Sequence, residues 1–337
     1  AKERGERILF LVPRNSIAEQ LEKELDIDDT HIQVKTYQWI ETKVRVNEDY
    51  TNTFDYIVMD EVHYFLEDVT FNIQTDTSLR WAFQQQVKKI MLSATPQSLL
   101  KFLSVLGLET QYSYTVESDY SHIDKIKMIK DIDYVDFLME YLRKIPKDEK
   151  ALIFMPNVKD AVKLYEKFKY ESTLFFSSSN RKNSKYLKHV NQDEYKYLIN
   201  ERKIPKQFLF TTSVLEAGVT IQDSSLKHIF INSTHAVNII QSVGRKRVID
   251  KNDTATLYVQ YYNKRSLNGS LQYTLRNLEH LDEFYSISLE NFYKKYPELT
   301  FGGNKEIKGF KFELSHQEGV GSYLVLRVSV PYYAFMS

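Results

Sequence analysis

Two adjacent carboxylates follow an apolar run in the first third of the chain. The segment IVMDEVH, residues 57–63, is strand-like and ends in Asp60 and Glu61. Parallel sheets bind ligands at the carboxyl ends of their strands, so this position suits chemistry. One carboxylate can hold Mg²⁺ while the other orients or deprotonates a water. Alone, such an acidic pair is common by chance, and His63 alone would be an ordinary polar residue.

Two hydroxyl groups end the next predicted strand. Ser93 and Thr95, in the segment SAT before Pro96, can bridge neighbouring acids through hydrogen bonds. The same segment can also cap the helix predicted from Gln97. The two interpretations are compatible.

A basic segment, QSVGRKR, occupies residues 241–247. Gly244 permits close approach of a backbone, and Arg245 can grip a phosphate through two N–H groups. An arginine aimed at a γ-phosphate stabilises the charge of the transition state. A basic cluster alone is usually a solvated face.

The elements that must position these residues alternate between strand and helix. Apolar strand-like runs at 7–12, 54–59, 151–155, 207–211 and 228–232 are separated by helix-like stretches. Such strands are typical of parallel sheets covered on both faces. We therefore predict an α/β chain with two tandem domains, residues 1–115 and 116–265. A small α+β extension, residues 266–337, contains a helical segment and a β-hairpin.

Composition excludes several classes of protein. The 337 residues are 42% hydrophobic and contain no cysteine, which rules out a disordered chain, cysteine-ligated metals and thiol catalysis. No apolar run approaches the roughly 18 residues that span a bilayer, and the charged N-terminus is unlike a signal peptide. We expect a cytoplasmic protein without a membrane partner.

The charges are unevenly distributed. Lysine plus arginine equals aspartate plus glutamate at 45 each, but residues 1–112 carry 12 basic and 18 acidic side chains. The remainder therefore has a net charge of +6. This excess fits a local basic groove or ordinary surface variation.

The order of these segments is more specific than any one of them. DEVH, then SAT, then QxxGRxR after a second α/β series resembles the superfamily 2 helicases of the DExH type. LVPRNSIAEQ (11–20) resembles motif Ia, and Thr36 to Gln38 resemble motif Ib. ALIFMPN (151–157) resembles motif IV, and FTTSVLEAGVTIQD (210–223) resembles motif V, with Glu216 and Asp223 in the expected places.

This resemblance implies two RecA-like domains that close on ATP. Asp60 would bind Mg²⁺, Glu61 would activate water, and Arg245 would act as the finger. The other implied roles follow the family motifs: Gln241, Gly218 and Arg247 would bind nucleotide, and His63, Ser93 and Thr95 would couple the nucleotide to the strand. Nucleic acid would contact Pro13, Arg14, Thr36, Gln38, Thr211 and Thr212. We expect single strands or duplex junctions, with DNA favoured over RNA, and a partner protein on the C-terminal segment.

Two departures from the family pattern concern nucleotide binding. The phosphate-binding loop, GxxxxGK[ST], is absent, because no Gly-Lys dipeptide occurs in the sequence. AKERGER resembles the end of the helix that follows this loop, so we expect the chain to begin just after it. In motif VI, Ser242 and Val248 replace arginines, which weakens the case for Arg247.

Two alternatives stay open. One is a catalytically inactive scaffold that binds nucleic acid, which the missing loop supports. The other is the motor subunit of a larger defence, restriction or mobile-element complex.

Overall fold

The computed structural model forms two compact units. It describes residues 2–25, 31–46, 50, 54–67, 72, 74–105, 107–108, 110–117, 119–130, 132–176, 185–212, 219–296, 310–317 and 321–328. The first unit comprises Ala1–Tyr112 and Lys264–Ser337, and the second comprises Ser113–Asn263. The two predicted parallel-sheet α/β domains are therefore present.

The first unit contains a four-stranded parallel sheet in the order β2-β1-β3-β4. Its strands are β1 Ile8–Val12, β2 Ile32–Thr36, β3 Tyr56–Met59 and β4 Lys88–Met91. Its helices are α1 Asn15–Glu24, α2 Tyr37–Arg45, α3 Tyr64–Glu67, α4 Thr75–Gln84 and α5 Gln97–Val105, after a 3₁₀ turn at Lys2–Arg4. Since the strands are parallel, the segments after β1 to β4 all emerge at one edge of the sheet.

The two faces of this sheet are covered unequally. One face carries the main core, in which Leu11, Ile57 and Met59 pack with side chains of α2 to α5. On the other face, Ile17 of α1 packs against strands β1 and β2. The edge strand β4 is the less protected one here, because Ile90 in β4 and Leu92 just after it are 45% and 42% exposed.

The second unit contains a six-stranded parallel sheet in the order β5-β10-β9-β6-β8-β7. Its strands are β5 Ile123–Ile129, β6 Lys150–Phe154, β7 Ser172–Phe175, β8 Phe208–Thr211, β9 Leu226–Ile231 and β10 Ala255–Gln260. Its helices are α6 Tyr134–Tyr141, α7 Val158–Lys167, α8 Gln192–Glu201 and α9 Ala236–Gly244, with 3₁₀ turns at Leu142–Lys144 and Leu187–His189. Apolar clusters cover both faces, as a parallel sheet requires.

Short polar residues start several helices. The side chains of Thr36, Asp133, Asn157 and Asn191 accept hydrogen bonds from backbone N–H groups in the first turns of α2, α6, α7 and α8. Each cap satisfies N–H groups that lack a partner within the helix. Thr36 ends β2, and Asp133 and Asn157 follow the ends of β5 and β6 by a few residues. These three caps therefore mark where the chain passes from a strand into the next helix.

The C-terminal segment contains helices α10 Lys264–Ser286 and α11 Leu289–Lys295, followed by strands β11 Phe310–Gln317 and β12 Gly321–Val328. The strands pair antiparallel, which confirms the predicted hairpin. The helices are joined by Glu283, which accepts hydrogen bonds from Lys295 and Tyr296 at 2.6 and 2.7 Å. No helix among the described residues is both long and apolar enough to cross a bilayer.

Candidate nucleotide and nucleic-acid sites

The predicted acidic pair lies at the carboxyl edge of the first sheet. Asp60 directly follows β3, and its N–H donates to the carbonyl of Leu11 at 2.9 Å. Glu61 has a φ of 49°, a left-handed conformation that is unfavourable for a residue with a Cβ. Such strain persists where the surrounding structure holds it, and it occurs often at functional sites.

His63 brings the acidic motif and the SAT segment together. Its Nδ1 lies 3.3 Å from Oε2 of Glu61 and 3.1 Å from Oγ of Ser93. The Ser93 hydroxyl accepts from the N–H of Thr95 at 3.0 Å. Four predicted residues therefore form one connected group.

Tyr37, a residue that our site prediction omits, hydrogen-bonds to the backbone of the acidic pair. Its Oη donates to the carbonyl of Asp60 at 2.7 Å, and its ring stacks on Tyr64 at 4.6 Å. Burial, together with the negative charges of Asp60 and Glu61, raises the pKa of Tyr37 well above the usual value. The phenol therefore stays protonated and remains a donor. No sequence signal pairs Tyr37 with Asp60.

A buried carboxylate lies beneath the same region. Glu41 accepts hydrogen bonds from Tyr64, Ser78 and Asn72 at 3.0, 3.0 and 2.8 Å. Burial raises the pKa of Glu41, and the hydrogen bonds partly oppose that shift. Its place in the sequence offers a signal, because it follows Tyr37 by four residues and therefore lies on the same face of α2.

The residues predicted to contact nucleic acid in the first unit are close together. Val12 at the end of β1 pairs with Thr36 at the end of β2. Gln38 Nε2 and Arg14 Nη1 both donate to the carbonyl of Pro13, at 3.3 and 3.4 Å. The Thr36 hydroxyl accepts from the N–H of Trp39 at 3.2 Å, so it also has the structural role of a helix cap.

The corresponding residues of the second unit end strand β8. Thr211 and Thr212 are buried, and the Thr211 hydroxyl donates to the carbonyl of Thr212 at 3.2 Å. The Thr211 carbonyl accepts from the N–H of Met155 at 2.7 Å. Gly218 and Glu216, the other motif V residues of interest, lie outside the described residues.

Gln241 lies in helix α9, and Arg245 and Arg247 lie in the segment that directly follows this helix. Arg245 is buried, and its Nε donates to the carbonyl of Gln241 at 3.0 Å. Arg247 is exposed. A Cβ added at Gly244 would have nothing within 4 Å among the described residues, so packing within this unit does not account for the glycine.

Residues 245–247 are anchored at the amino-terminal edge of the second sheet. The Ile221 N–H donates to the carbonyl of Arg245, and the Arg247 N–H donates back to Ile221, each at 2.8 Å. Ile221 precedes β9, whereas Thr211 ends β8. The strands are parallel, so Arg245 and Arg247 lie at the sheet edge opposite to that of Thr211.

A buried ion pair follows Arg245. Lys246 Nζ lies 2.6 Å from Oδ1 of Asp253 and 3.3 Å from the carbonyl of Asp223. Lys246 is 1% exposed and Asp253 is 3% exposed. Burial lowers the pKa of Lys246, and Asp253 opposes that shift. A basic cluster such as GRKR is usually a solvated face, and the local sequence gives no signal for the burial of its lysine.

The donor chemistry of the first site suits Mg²⁺. No group of three or more histidine or acidic residues with metal-ligand geometry occurs among the described residues. Mg²⁺ is usually held by one or two carboxylates together with waters and substrate phosphates. Asp60 and Glu61 offer hard oxygen ligands of this kind.

Two family models match parts of this chain. Residues 1–102 match the family model of the DEAD/DEAH box helicases, and residues 133–247 match that of the helicase conserved C-terminal domain. Comparison with curated proteins finds no match.

Solved structures show the same fold. One is Dbp5 of S. cerevisiae bound to RNA and ADP BeF3, with a TM-score of 0.56 and 18% identity, over 78% of this chain and 73% of that one. A single-residue variant of the same yeast protein, also bound to RNA and ADP BeF3, has a TM-score of 0.56 and 16% identity. The match covers 79% of this chain and 74% of the variant's chain.

Two RecA-like domains in this order define the class. Residues 1–102 and 133–247 carry the DEAD/DEAH-box and C-terminal domains of a superfamily 2 helicase.

Proposed function

We propose that the chain is the motor core of a DExH-type, ATP-dependent nucleic-acid helicase or translocase. The contact of His63 with both Glu61 and Ser93 carries the proposal. This contact connects Glu61, a carboxylate suited to activating water, with Ser93 after strand β4. A movement of Glu61 can therefore change the position of the segment after β4. His63 and Ser93 are 30 residues apart in the chain, and an incidental acidic pair would not need this connection.

In this proposal Asp60 holds Mg²⁺, which when bound would neutralise phosphate charge. Glu61 orients the attacking water, and its strained backbone fixes the direction of the carboxylate. His63, Ser93 and Thr95 transmit a change at Glu61 to the residues after β4. Arg245 stabilises charge on the transferred phosphoryl group, and Gln241 contacts the nucleotide. These are the recurring parts of enzymatic phosphoryl transfer.

Nucleic acid would lie along the carboxyl edges of the sheets. Pro13, Arg14, Thr36 and Gln38 would form the contact surface of the first unit. In the second unit Thr212 would make the contact, and the fully buried Thr211 would position it through the hydrogen bond to the Thr212 carbonyl. Contacts of this kind are made mainly to phosphate and sugar, so we expect weak sequence preference and strong salt dependence. We favour DNA as the strand, and the RNA in the yeast structure makes a side-by-side test of both necessary.

A second candidate is a nucleic-acid-binding scaffold without turnover. The absence of a Gly-Lys dipeptide favours it, since the loop that cradles the β- and γ-phosphates is built around that pair. We therefore propose that these 337 residues alone hydrolyse ATP poorly.

Two assays on the purified chain test the proposal. Fluorescence anisotropy should show binding of unrelated DNA or RNA single strands at low salt, weakening steeply as salt rises. ATP turnover should be near background with or without a strand, and should rise when a GxxxxGK[ST] loop and its helix are fused in front of Ala1. Glu61→Gln in the fused form is the control for genuine turnover. Undetectable binding of every strand at low salt would overturn the proposed function.

A further inference from the structure

A cavity of about 250 Å³ opens at the carboxyl edge of the second sheet. Its walls come from the end of β6, the residues after β9, the start of α9 and the residue two positions beyond β10. The lining comprises Phe154, Met155, Ile231, Asn232, Asn238 and Tyr262, among others. None of the residue roles proposed above uses this cavity.

The lining favours a small, flat, uncharged ligand. Apolar side chains such as Phe154 and Ile231 lie beside the amides of Asn232 and Asn238 and the ring of Tyr262. The described lining residues include His235 but no lysine, arginine, aspartate or glutamate, so the cavity lacks the permanent cations that a phosphate site normally provides. Its volume is also below the roughly 300–1,000 Å³ typical of sites for drug-sized ligands.

One polar group of the cavity is held in place in advance. Tyr262 Oη donates a hydrogen bond to Oδ1 of Asn232. Burial raises the pKa of Tyr262, so the phenol remains a donor at physiological pH. The Asn232 amide is thereby fixed, and an amide group can hydrogen-bond to the edge of a base.

The cavity lies next to the predicted nucleic-acid contacts. Strand β6 pairs with β9 on one side and with β8 on the other. Met155, which lines the cavity, donates its N–H to the carbonyl of Thr211 at 2.7 Å. Neighbouring strands are about 4.8 Å apart, so the cavity is one strand away from Thr211.

We infer that this cavity binds one unstacked base of the single strand whose backbone contacts Thr212, just after β8. The inference rests on the proposed function and adds to it a contact with a base. Single-strand binding proteins commonly combine backbone contacts with aromatic side chains that receive bases. The ring of Tyr262 would contact a face of the base, and the amides of Asn232 and Asn238 would contact its edge.

The test compares two synthetic 12-nucleotide strands of equal charge. One carries adenine at each position and the other is abasic throughout. The full chain should bind the adenine strand about tenfold more tightly at the same salt, the scale of one base contact. Asn238→Phe fills the cavity and should abolish this advantage while leaving affinity for the abasic strand unchanged. Asn252→Phe, the same exchange in an exposed turn at the opposite sheet edge, should retain the advantage.

Each other outcome has a defined meaning. Equal binding of both strands by the unmodified chain, or an advantage that survives in Asn238→Phe, overturns the base pocket and leaves the proposed function standing. Undetectable binding of both strands overturns the proposed function and the pocket with it. Should Asn238→Phe fail to fold, Tyr262→Phe gives the decision. It keeps the ring but frees Asn232, and should reduce the adenine advantage severalfold; an unchanged advantage would overturn the inference.

Discussion

The imidazole Nδ1 of His63 lies 3.1 Å from the hydroxyl oxygen of Ser93, which is 30 residues further along the chain. The two residues follow adjacent parallel strands, β3 and β4, so the sheet itself brings them together. Glu61 reaches the same nitrogen at 3.3 Å. A change in the position of Glu61 would therefore move His63 and, through it, the segment that follows β4.

A double-mutant cycle measures this connection. His63→Ala and Ser93→Ala should each destabilise the protein, and together by less than the sum of the single effects. The expected coupling is about 0.5–1.5 kcal/mol, the net value of a hydrogen bond. Urea unfolding of the four proteins gives this number. As a control, the effects of His63→Ala and of Asp133→Ala, which removes a helix cap in the other unit, should be additive. If this control pair shows a coupling energy as large as that of His63 with Ser93, the hydrogen bond does not explain the first coupling.

Glycine at position 61 should be more stable than alanine. The φ of 49° at Glu61 costs an L-residue roughly 1–2 kcal/mol, and glycine avoids that cost. Glu61→Gly should therefore be about 1 kcal/mol more stable to urea than Glu61→Ala. At exposed Glu19 in helix α1 the same pair should show the opposite order, because glycine weakens helices. If glycine is more stable than alanine at both positions, or less stable at both, the backbone of Glu61 is not strained.

The sequence was informative where the chemistry depends on strand order. Asp60 and Ser93 each follow an apolar run, and in a parallel sheet such residues must share an edge. That rule predicts that the acidic segment and the SAT segment lie near each other, whereas the link of His63 with Ser93 was implied only by the family resemblance. The strain at Glu61 was not predictable, because no residue type there signals a left-handed backbone.

Long-range burial was harder to predict. Lys246 stands in GRKR, a sequence typical of a solvated surface, and it is buried only because Asp253 and Asp223 approach it from other segments. The cavity beside Asn232 likewise depends on three strand ends that are far apart in sequence. Such environments are set by tertiary contacts that local residue patterns do not contain.

Tyr37 should make stability depend on alkaline pH. The pKa of Tyr37 is raised by burial and nearby negative charge, while an unfolded tyrosine ionises near pH 10. Above about pH 10 the unfolded chain loses this proton and the folded chain keeps it. Stability therefore falls as pH rises, by up to about 1.4 kcal/mol per pH unit from this group.

Tyr37→Phe isolates that contribution. It should be about 1 kcal/mol less stable at neutral pH, because the hydrogen bond to Asp60 is lost, and its stability should fall less steeply between pH 10 and 11. Urea unfolding across pH 8–11 provides both values. Tyr114→Phe, at a side chain that is 90% exposed, should leave the slope as it is. Identical slopes in all three proteins would contradict the expectation.

The buried pair Lys246–Asp253 should be sensitive to loss of one partner. Lys246→Met leaves Asp253 charged and buried, and should cost about 3–5 kcal/mol. Adding Asp253→Asn removes that charge but keeps an acceptor for the Ile249 N–H, and should recover most of the loss. Lys294→Met breaks an exposed pair with Glu290 and should change stability by less than about 1 kcal/mol. Thermal unfolding ranks the variants, and equal effects of Lys246→Met and Lys294→Met would contradict the prediction.

Arg245 should act on turnover, and Arg247 much less. Arg245 is buried and its Nε contacts Gln241, so its side chain is held in one place, whereas Arg247 is exposed. Arginine fingers contribute on the order of 10³–10⁵ to turnover in related phosphoryl-transfer systems. Lysine keeps the charge but loses the planar fork that grips two phosphate oxygens.

The measurement uses the chain with a phosphate-binding loop fused in front of Ala1. Arg245→Lys should lower kcat strongly at saturating strand while changing nucleotide affinity much less, and Arg247→Lys should lower kcat only slightly. Thermal unfolding of both variants separates a local effect from loss of the fold, since Arg245→Lys also loses the bond to Gln241. If Arg245 is instead a cation that binds nucleic-acid phosphate, kcat at saturating strand will stay nearly intact. Only strand affinity and its salt dependence will then change, and the role as a finger would have to be abandoned.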